Sequence, residues 1–291
     1  MSEKNKSLMG LVWLASYPKS GNTWTRNFLH NIMSIMAGED DGAYDINDMS
    51  AMSTWEVGAQ YYEELLGKPV TKCDRAEIAA IRPKVQKFIA ENAGGLAFVK
   101  THHAMVLDRG VPAINFDVTA GAIYIVRNPL DVATSFANHL NATTDKTVEQ
   151  MAVEDAETPM TDKVVYEIYG SWSQHVESWT RKPHRAIYVM RYEDMLADPR
   201  KSFGGLVRHL LLKPSDEELD RAIELSSFDV LKKQEQESEA GFKEKPIPSK
   251  EFFRSGKAGG WRTELNDDQI RCIISRHREQ MIRFGYVPEG Y

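Results

Sequence analysis

Three places where an apolar run gives way to charge hold the residues best suited to chemistry. From Trp13 to Met33 (WLASYPKSGNTWTRNFLHNIM) an apolar run breaks at Tyr17-Pro18, passes through a small polar loop around Lys19, and resumes as apolar residues at helical spacing. A strand, a turn of small residues and a helix together aim free backbone N–H groups at an anion. Pro18 to Thr23 fits such a turn: Gly21 permits close backbone approach, Lys19 supplies a point charge, and Ser20, Asn22 and Thr23 supply polar donors. The Walker pattern G-x-x-x-x-G-K-[ST] is absent, so a phosphate loop and a plain strand end with an exposed lysine both stay open on this window.

The second place is AIYIVRNPLDVATSFANH, where an apolar run ends at Arg127, Asn128-Pro129 supply a cap and a first helical residue, and Ser135 follows about two turns on. Open α/β sheets bind ligands at the carboxyl ends of their strands, where Arg127 falls; a cap or surface ion pair is the plainer reading. The third, LAFVKTHHA, delivers Lys100, His102 and His103 in the same way. A lone histidine is more often structural, but lysine and histidine together at a strand end favour chemistry. Alternation in an extended segment puts Lys100 and His102 on one face and His103 on the other.

The elements that must position these residues are legible as pattern. Runs 11–16, 96–99, 122–126 and 186–190 read as buried parallel strands, and 22–37, 77–92, 129–139, 164–181, 199–211, 216–225 and 267–283 as helices. Their alternation predicts an α/β fold: a central, mainly parallel sheet flanked by helices, with a P-loop-like turn after the first strand, in one domain spanning 1–291. The polar stretch 232–260 reads as a long mobile loop. With 291 residues, 42% hydrophobic, the chain can bury a full core; a net charge of −6 without a basic stripe speaks against nucleic acid. No apolar run reaches the roughly 18–20 residues of a membrane span. The two cysteines, Cys73 and Cys272, form neither a disulfide framework nor a zinc pattern, which favours a reducing, cytoplasmic setting.

Taken in order, these residues resemble the cytosolic-type sulfotransferases that use 3'-phosphoadenosine 5'-phosphosulfate (PAPS), in a bacterial-like form. The family's Tyr-Pro-Lys-Ser-Gly-x-Thr-Trp signature stands at Tyr17–Trp24, its Lys-Thr-His element at Lys100–His102, and its Arg-(seven residues)-Ser element at Arg127 and Ser135. RYEDMLADP matches a Tyr-Glu-Asp segment through Tyr192; Ser226-Ser227-Phe228 resembles Thr-Ser-Phe; and Arg254–Trp261 resembles the carboxyl-terminal Arg-Lys-Gly-x-x-Gly-Asp-Trp loop. Ser255 replaces a lysine of that loop and Gly260 its aspartate, leaving Lys257 as a candidate substitute. His103-Ala104 lacks the usual proline, and the family's dimerisation motif is not found after Trp261.

The resemblance implies in-line transfer of a sulfuryl group from PAPS to a small-molecule acceptor, leaving the bisphosphate PAP, without a metal. It casts His102 as general base, Lys19 and Lys100 as stabilisers of the leaving oxygen, and Thr23 with the Ser20, Gly21 and Asn22 turn as the 5'-phosphate cradle. Arg127, Ser135, Arg254, Ser255 and Gly256 would clamp the 3'-phosphate, and Trp24, Tyr192, Ser226 and Phe228 would hold the adenine. Two other readings are a non-catalytic nucleotide-binding protein on the same fold and a P-loop kinase; the kinase needs a metal-binding aspartate where Arg127 stands. The acceptor would lie among loops 38–75, 138–165 and 232–253. The acidic run GEDDGAYDINDMSAMSTWE suggests a cationic or amphipathic acceptor, in keeping with tailoring of a specialised metabolite.

Overall fold

The computed structural model describes residues 9–49, 52–238, 242–243 and 251–291. Five strands form one parallel sheet in the order β2-β3-β1-β6-β7: β1 (Gly10–Ser16), β2 (Ser53–Trp55), β3 (Leu96–Thr101), β6 (Thr119–Val126) and β7 (Ile187–Arg191). A small antiparallel pair, β4 (Leu107–Asp108) and β5 (Val111–Pro112), stands apart from it. The chain leaves β1, builds β2 and β3 on one side, then crosses to place β6 on the other. Strand order therefore reverses at β1, where ligands settle in open α/β sheets.

The period of two in a strand sorts the core into two layers. Leu11, Trp13 and Ala15 of β1 and Ala122, Tyr124 and Val126 of β6 face one cluster; Val12, Leu14, Ile123 and Ile125 face the other. Helices α3 (Arg75–Asn92), α4 (Pro129–Leu140), α6 (Trp172–Thr180) and α12 (Asp267–Arg283) cover the first face. The second is covered by α1 (Asn22–Met36), α8 (Pro199–His209) and α9 (Asp216–Leu225). Burial on both sheet faces is why β1 is apolar along its length.

Two expectations are corrected. The helix expected over 164–181 begins only at Trp172, because the backbone of 164–168 bonds to extended neighbours: Val165 N–H donates to the Val57 carbonyl at 2.9 Å, and Thr158 N–H to that of Glu167 at 2.9 Å. Gly170 then takes a φ of 63°, and Ser171 caps α6 by accepting the Gln174 N–H at 3.1 Å. The stretch 232–260 is not loop throughout, since α10 (Phe228–Glu237) occupies its start; residues 239–241 and 244–250 lie outside the described residues. The helices α2 (Ala59–Leu66), α5 (Thr144–Met151), α7 (Tyr192–Ala197) and α11 (Trp261–Glu264) are short enough to escape periodicity.

Candidate active site

The carboxyl ends of β1, β3 and β6 open onto one cavity of about 480 Å³. Lys19 and Gly21 turn the chain out of β1 with φ of 66° and 104°. Helix α1 has Gly21 as its N-cap, with no side-chain cap and no acidic residue in its first turn, so its leading N–H groups and positive end are left to an anion. Gly21 is obligatory twice over: besides its φ, a Cβ there would fall 2.7 Å from the Tyr192 ring. Asn22 Nδ2 turns back to donate to the Leu14 carbonyl at 2.8 Å, and Ser20 Oγ is buried without a partner.

Arg127, arriving from β6, ties this loop to two others. Its guanidinium donates to the Lys19 carbonyl at 2.8 Å and the Lys257 carbonyl at 3.4 Å, and sits 4.3 Å from the centre of the Tyr192 ring. Asn128 caps α4, which carries Ser135 into the cavity. In the 254–261 loop, Gly256 has a φ of 59°, and a Cβ would meet the Phe228 ring at 2.3 Å, so only glycine lets this backbone lie on the aromatic face. Asp131 anchors the loop by accepting the N–H groups of Gly259 at 2.8 Å and Trp261 at 3.1 Å.

Lys19, Lys100, Arg127 and Arg254 all reach the cavity wall. The Lys19 ammonium is lowered to about 7, first by burial and then by Arg127, Lys100 and Arg254, against the pull of Glu235. Its Nζ lies 3.6 Å from the centre of the Phe252 ring, and Lys100 Nζ 4.2 Å from that of Trp55. Two cations held against each other under aromatic faces form a site that gains from an anion.

His102 is fixed from three sides. Its Nδ1 lies 2.8 Å from the Ser16 carbonyl, which makes Nδ1 the protonated nitrogen and leaves the Nε2 lone pair bare. Its N–H donates to Glu167 Oε1 at 2.6 Å, and its carbonyl accepts from His175 Nε2 at 3.2 Å, His175 in turn facing the Tyr124 hydroxyl at 2.9 Å. Burial, with Lys100 beside it, holds its pKa well below the usual histidine value. His103 points the other way: wholly buried, it accepts the Ile168 N–H on Nδ1 at 3.0 Å and sets Nε2 3.1 Å from Glu56.

Of the sequence candidates, Lys19, Gly21, Asn22, Thr23, Trp24, Lys100, His102, Arg127, Ser135, Tyr192, Phe228, Arg254, Ser255 and Gly256 line the cavity. Ser20 and Ser226 do not. Ser226 Oγ is fully buried, donating to the Ala222 carbonyl at 2.6 Å and accepting from Asn31 at 3.2 Å, because it ends α9 where that helix packs on α1. Lys257 is exposed and reaches the site through its carbonyl alone. Of the described residues of the acidic run 38–56, Trp55 alone lines the cavity; Asp40 is spent on Arg221 at 3.3 Å. Trp55, His139, Glu167 and Phe252 were not singled out in the sequence, although His139 follows Ser135 by one helical turn and shares its face.

A parallel α/β sheet whose reversal point gathers an uncapped helix, four cations and a neutral histidine defines a protein that handles an anionic donor. The chain belongs to the sulfotransferase family: the sulfotransferase domain model matches residues 10–285. Mouse sulfotransferase 1E1 is 27% identical over 272 residues, spanning 92% of this chain and 82% of that protein. Sulfotransferase 1B1 of the dog, Canis lupus familiaris, is 26% identical, over 93% of this chain and 83% of its own length. Two crystal structures share the fold. Mouse sulfotransferase SULT7A1 complexed with PAP has a TM-score of 0.61 at 21% identity, over 94% of this chain and 84% of that one. Retinol dehydratase in a complex with retinol and PAP has a TM-score of 0.66 at 21% identity, over 93% and 81%.

Proposed function

We propose that this chain, as one catalytic domain, transfers the sulfuryl group of PAPS to the hydroxyl of a small, uncharged acceptor and releases PAP. The observation that supports this reading is that Lys19, Lys100 and His102, whose Nδ1 is turned to the Ser16 carbonyl, line one cavity. The acceptor oxygen attacks sulfur in line as the bond from sulfur to the bridging 5'-phosphate oxygen breaks. The hydroxyl proton passes to His102 Nε2, and the electron pair of the broken bond goes to PAP, where the Lys19 and Lys100 charges meet it. The α1 N–H groups and Thr23 hold the 5'-phosphate, Arg127, Ser135, Arg254 and Gly256 the 3'-phosphate, and Trp24, Tyr192 and Phe228 the adenine.

The acceptor side is walled by Trp55, Phe136, His139, Val165, Tyr169 and Phe252. Its ionisable groups are spent or neutral: Glu157 pairs with Arg75, Glu167 holds the His102 N–H, and His139 is lowered to about 3 by burial and then by Lys19 and Lys100. An aromatic wall with no free carboxylate among the described residues suits a phenol or apolar alcohol, including one from specialised metabolism, rather than the cationic acceptor the acidic run suggested. Radiolabelled PAPS offered with a panel of neutral phenols and alcohols and a parallel panel of cationic amines tests this. Label and PAP are expected with the first panel; label transferred only to the amines, or to neither, overturns the reading.

A further inference from the structure

A second cavity, also about 480 Å³, opens at the other edge of the sheet, against the amino ends of β6 and β7. Thr119 lines it while Val126 leads to Arg127; seven strand steps of about 3.3 Å put these ends some 23 Å apart. The floor is apolar and buried, made of Ile114, Ala122 and Trp179. Phe116 adds an aromatic ring that is 63% exposed. A hollow of this size falls within the roughly 300–1,000 Å³ of small-molecule sites.

The rim tells which occupant. Among the described residues its ionisable side chains are Arg181, Lys182 and His184, from the run Arg181–Arg185 that follows α6. Arg181 is engaged with Glu177 at 2.7 Å, but Lys182 has no carboxylate partner among the described residues. Apolar floor and cationic rim are complementary to a molecule with a flat hydrocarbon body and one anionic group.

We propose that this cavity is a binding site for an amphipathic organic anion, an aromatic body of one or two rings lying on Trp179 and Phe116 with its sulfate, sulfonate or carboxylate at Lys182. The site is not isolated from the catalytic wall. Trp179 Nε1 donates to the His103 carbonyl at 2.9 Å and Ser178 Oγ accepts the Met105 N–H at 3.0 Å, so the occupant rests on the groups that hold the segment after His102.

The test needs no catalysis, so it succeeds or fails independently of the assigned reaction. The full chain, saturated with PAP, is titrated with 8-anilinonaphthalene-1-sulfonate and its fluorescence is followed. Displacement by 2-naphthyl sulfate, 2-naphthoate and neutral 2-naphthol then compares sulfate, carboxylate and no charge. Expected are a binding phase that disappears in Ala120→Trp, which fills the cavity from its exposed edge, at least a fivefold weakening in Lys182→Glu, and displacement by 2-naphthol at least tenfold weaker than by either anion. PAP binding should be unchanged in both variants. Titrations of both variants that superimpose on the unmodified protein, or 2-naphthol competing as well as the anions, would overturn the site; Lys182→Glu decides if Ala120→Trp does not fold.

Discussion

Lys19 sits among Arg127, Lys100 and Arg254 under the Phe252 ring, and in that company its ammonium is half-deprotonated near pH 7. A bisphosphate brings negative charge and raises that value, so binding takes up a proton above pH 7. PAP affinity is therefore expected to fall as pH rises from about 7, by up to tenfold per unit until the raised value is passed. Lys19→Met should bind more weakly but lose this slope, and isothermal titration between pH 6.5 and 9 reads both; a slope unchanged in Lys19→Met contradicts the assignment. His103 belongs to a different function. Buried Glu56 is held below its usual value, burial opposing but His103, Arg82 and the Tyr62 hydroxyl outweighing it, so His103→Ala takes one of these partners from a buried carboxylate. A loss of about 3–5 kcal/mol is expected, read as a lower melting temperature. That His103 diverges from His102 was legible, because strand alternation puts 100 and 102 on one side. Glu167, Trp55 and Phe252 were not, since each arrives from a distant segment with no local pattern to announce it.

At the scale of elements, the donor half of the cavity is a loop laid over rings and pinned by one carboxylate. Gly256→Ala drives a Cβ into Phe228 at a φ of 59°, and Asp131→Ala releases the Gly259 and Trp261 N–H groups. Both are expected to weaken PAP binding about tenfold or more, since each charge-assisted bond is worth about 1.5–3 kcal/mol. Fold should be retained, as circular dichroism can check; unaltered affinity in either variant would show that the loop does not form the clamp. The strand-loop-helix units around Lys19 and Arg127 were readable because each pairs an apolar run with turn chemistry. The late start of α6 was not. Val164 to Tyr169 is apolar enough for a helix, and bonds to Val57, His103, Ala104, Ala156 and Thr158, contributed by residues elsewhere in the chain, hold it extended.

For the whole molecule, the reversal of strand order at β1 explains why residues separated by more than two hundred positions meet in one cavity. The parallel sheet and its flanking helices followed from alternating patterns, whereas β2, three residues long, carried none. A site made for a bisphosphate nucleotide should couple to global stability. PAP at 100 times its Kd is expected to add about 2.7 kcal/mol without magnesium, and ATP much less; equal stabilisation by ATP, seen by differential scanning fluorimetry, would favour a kinase-like donor. The proposed proton transfer turns on one atom, His102 Nε2. The most direct measurement is kcat at saturating PAPS for the unmodified chain and for His102→Ala against one identified neutral acceptor, with PAP affinity measured in both. A fall of about 10²- to 10⁴-fold with PAP affinity nearly intact is the expected result; a folded His102→Ala protein that keeps near-full kcat contradicts it.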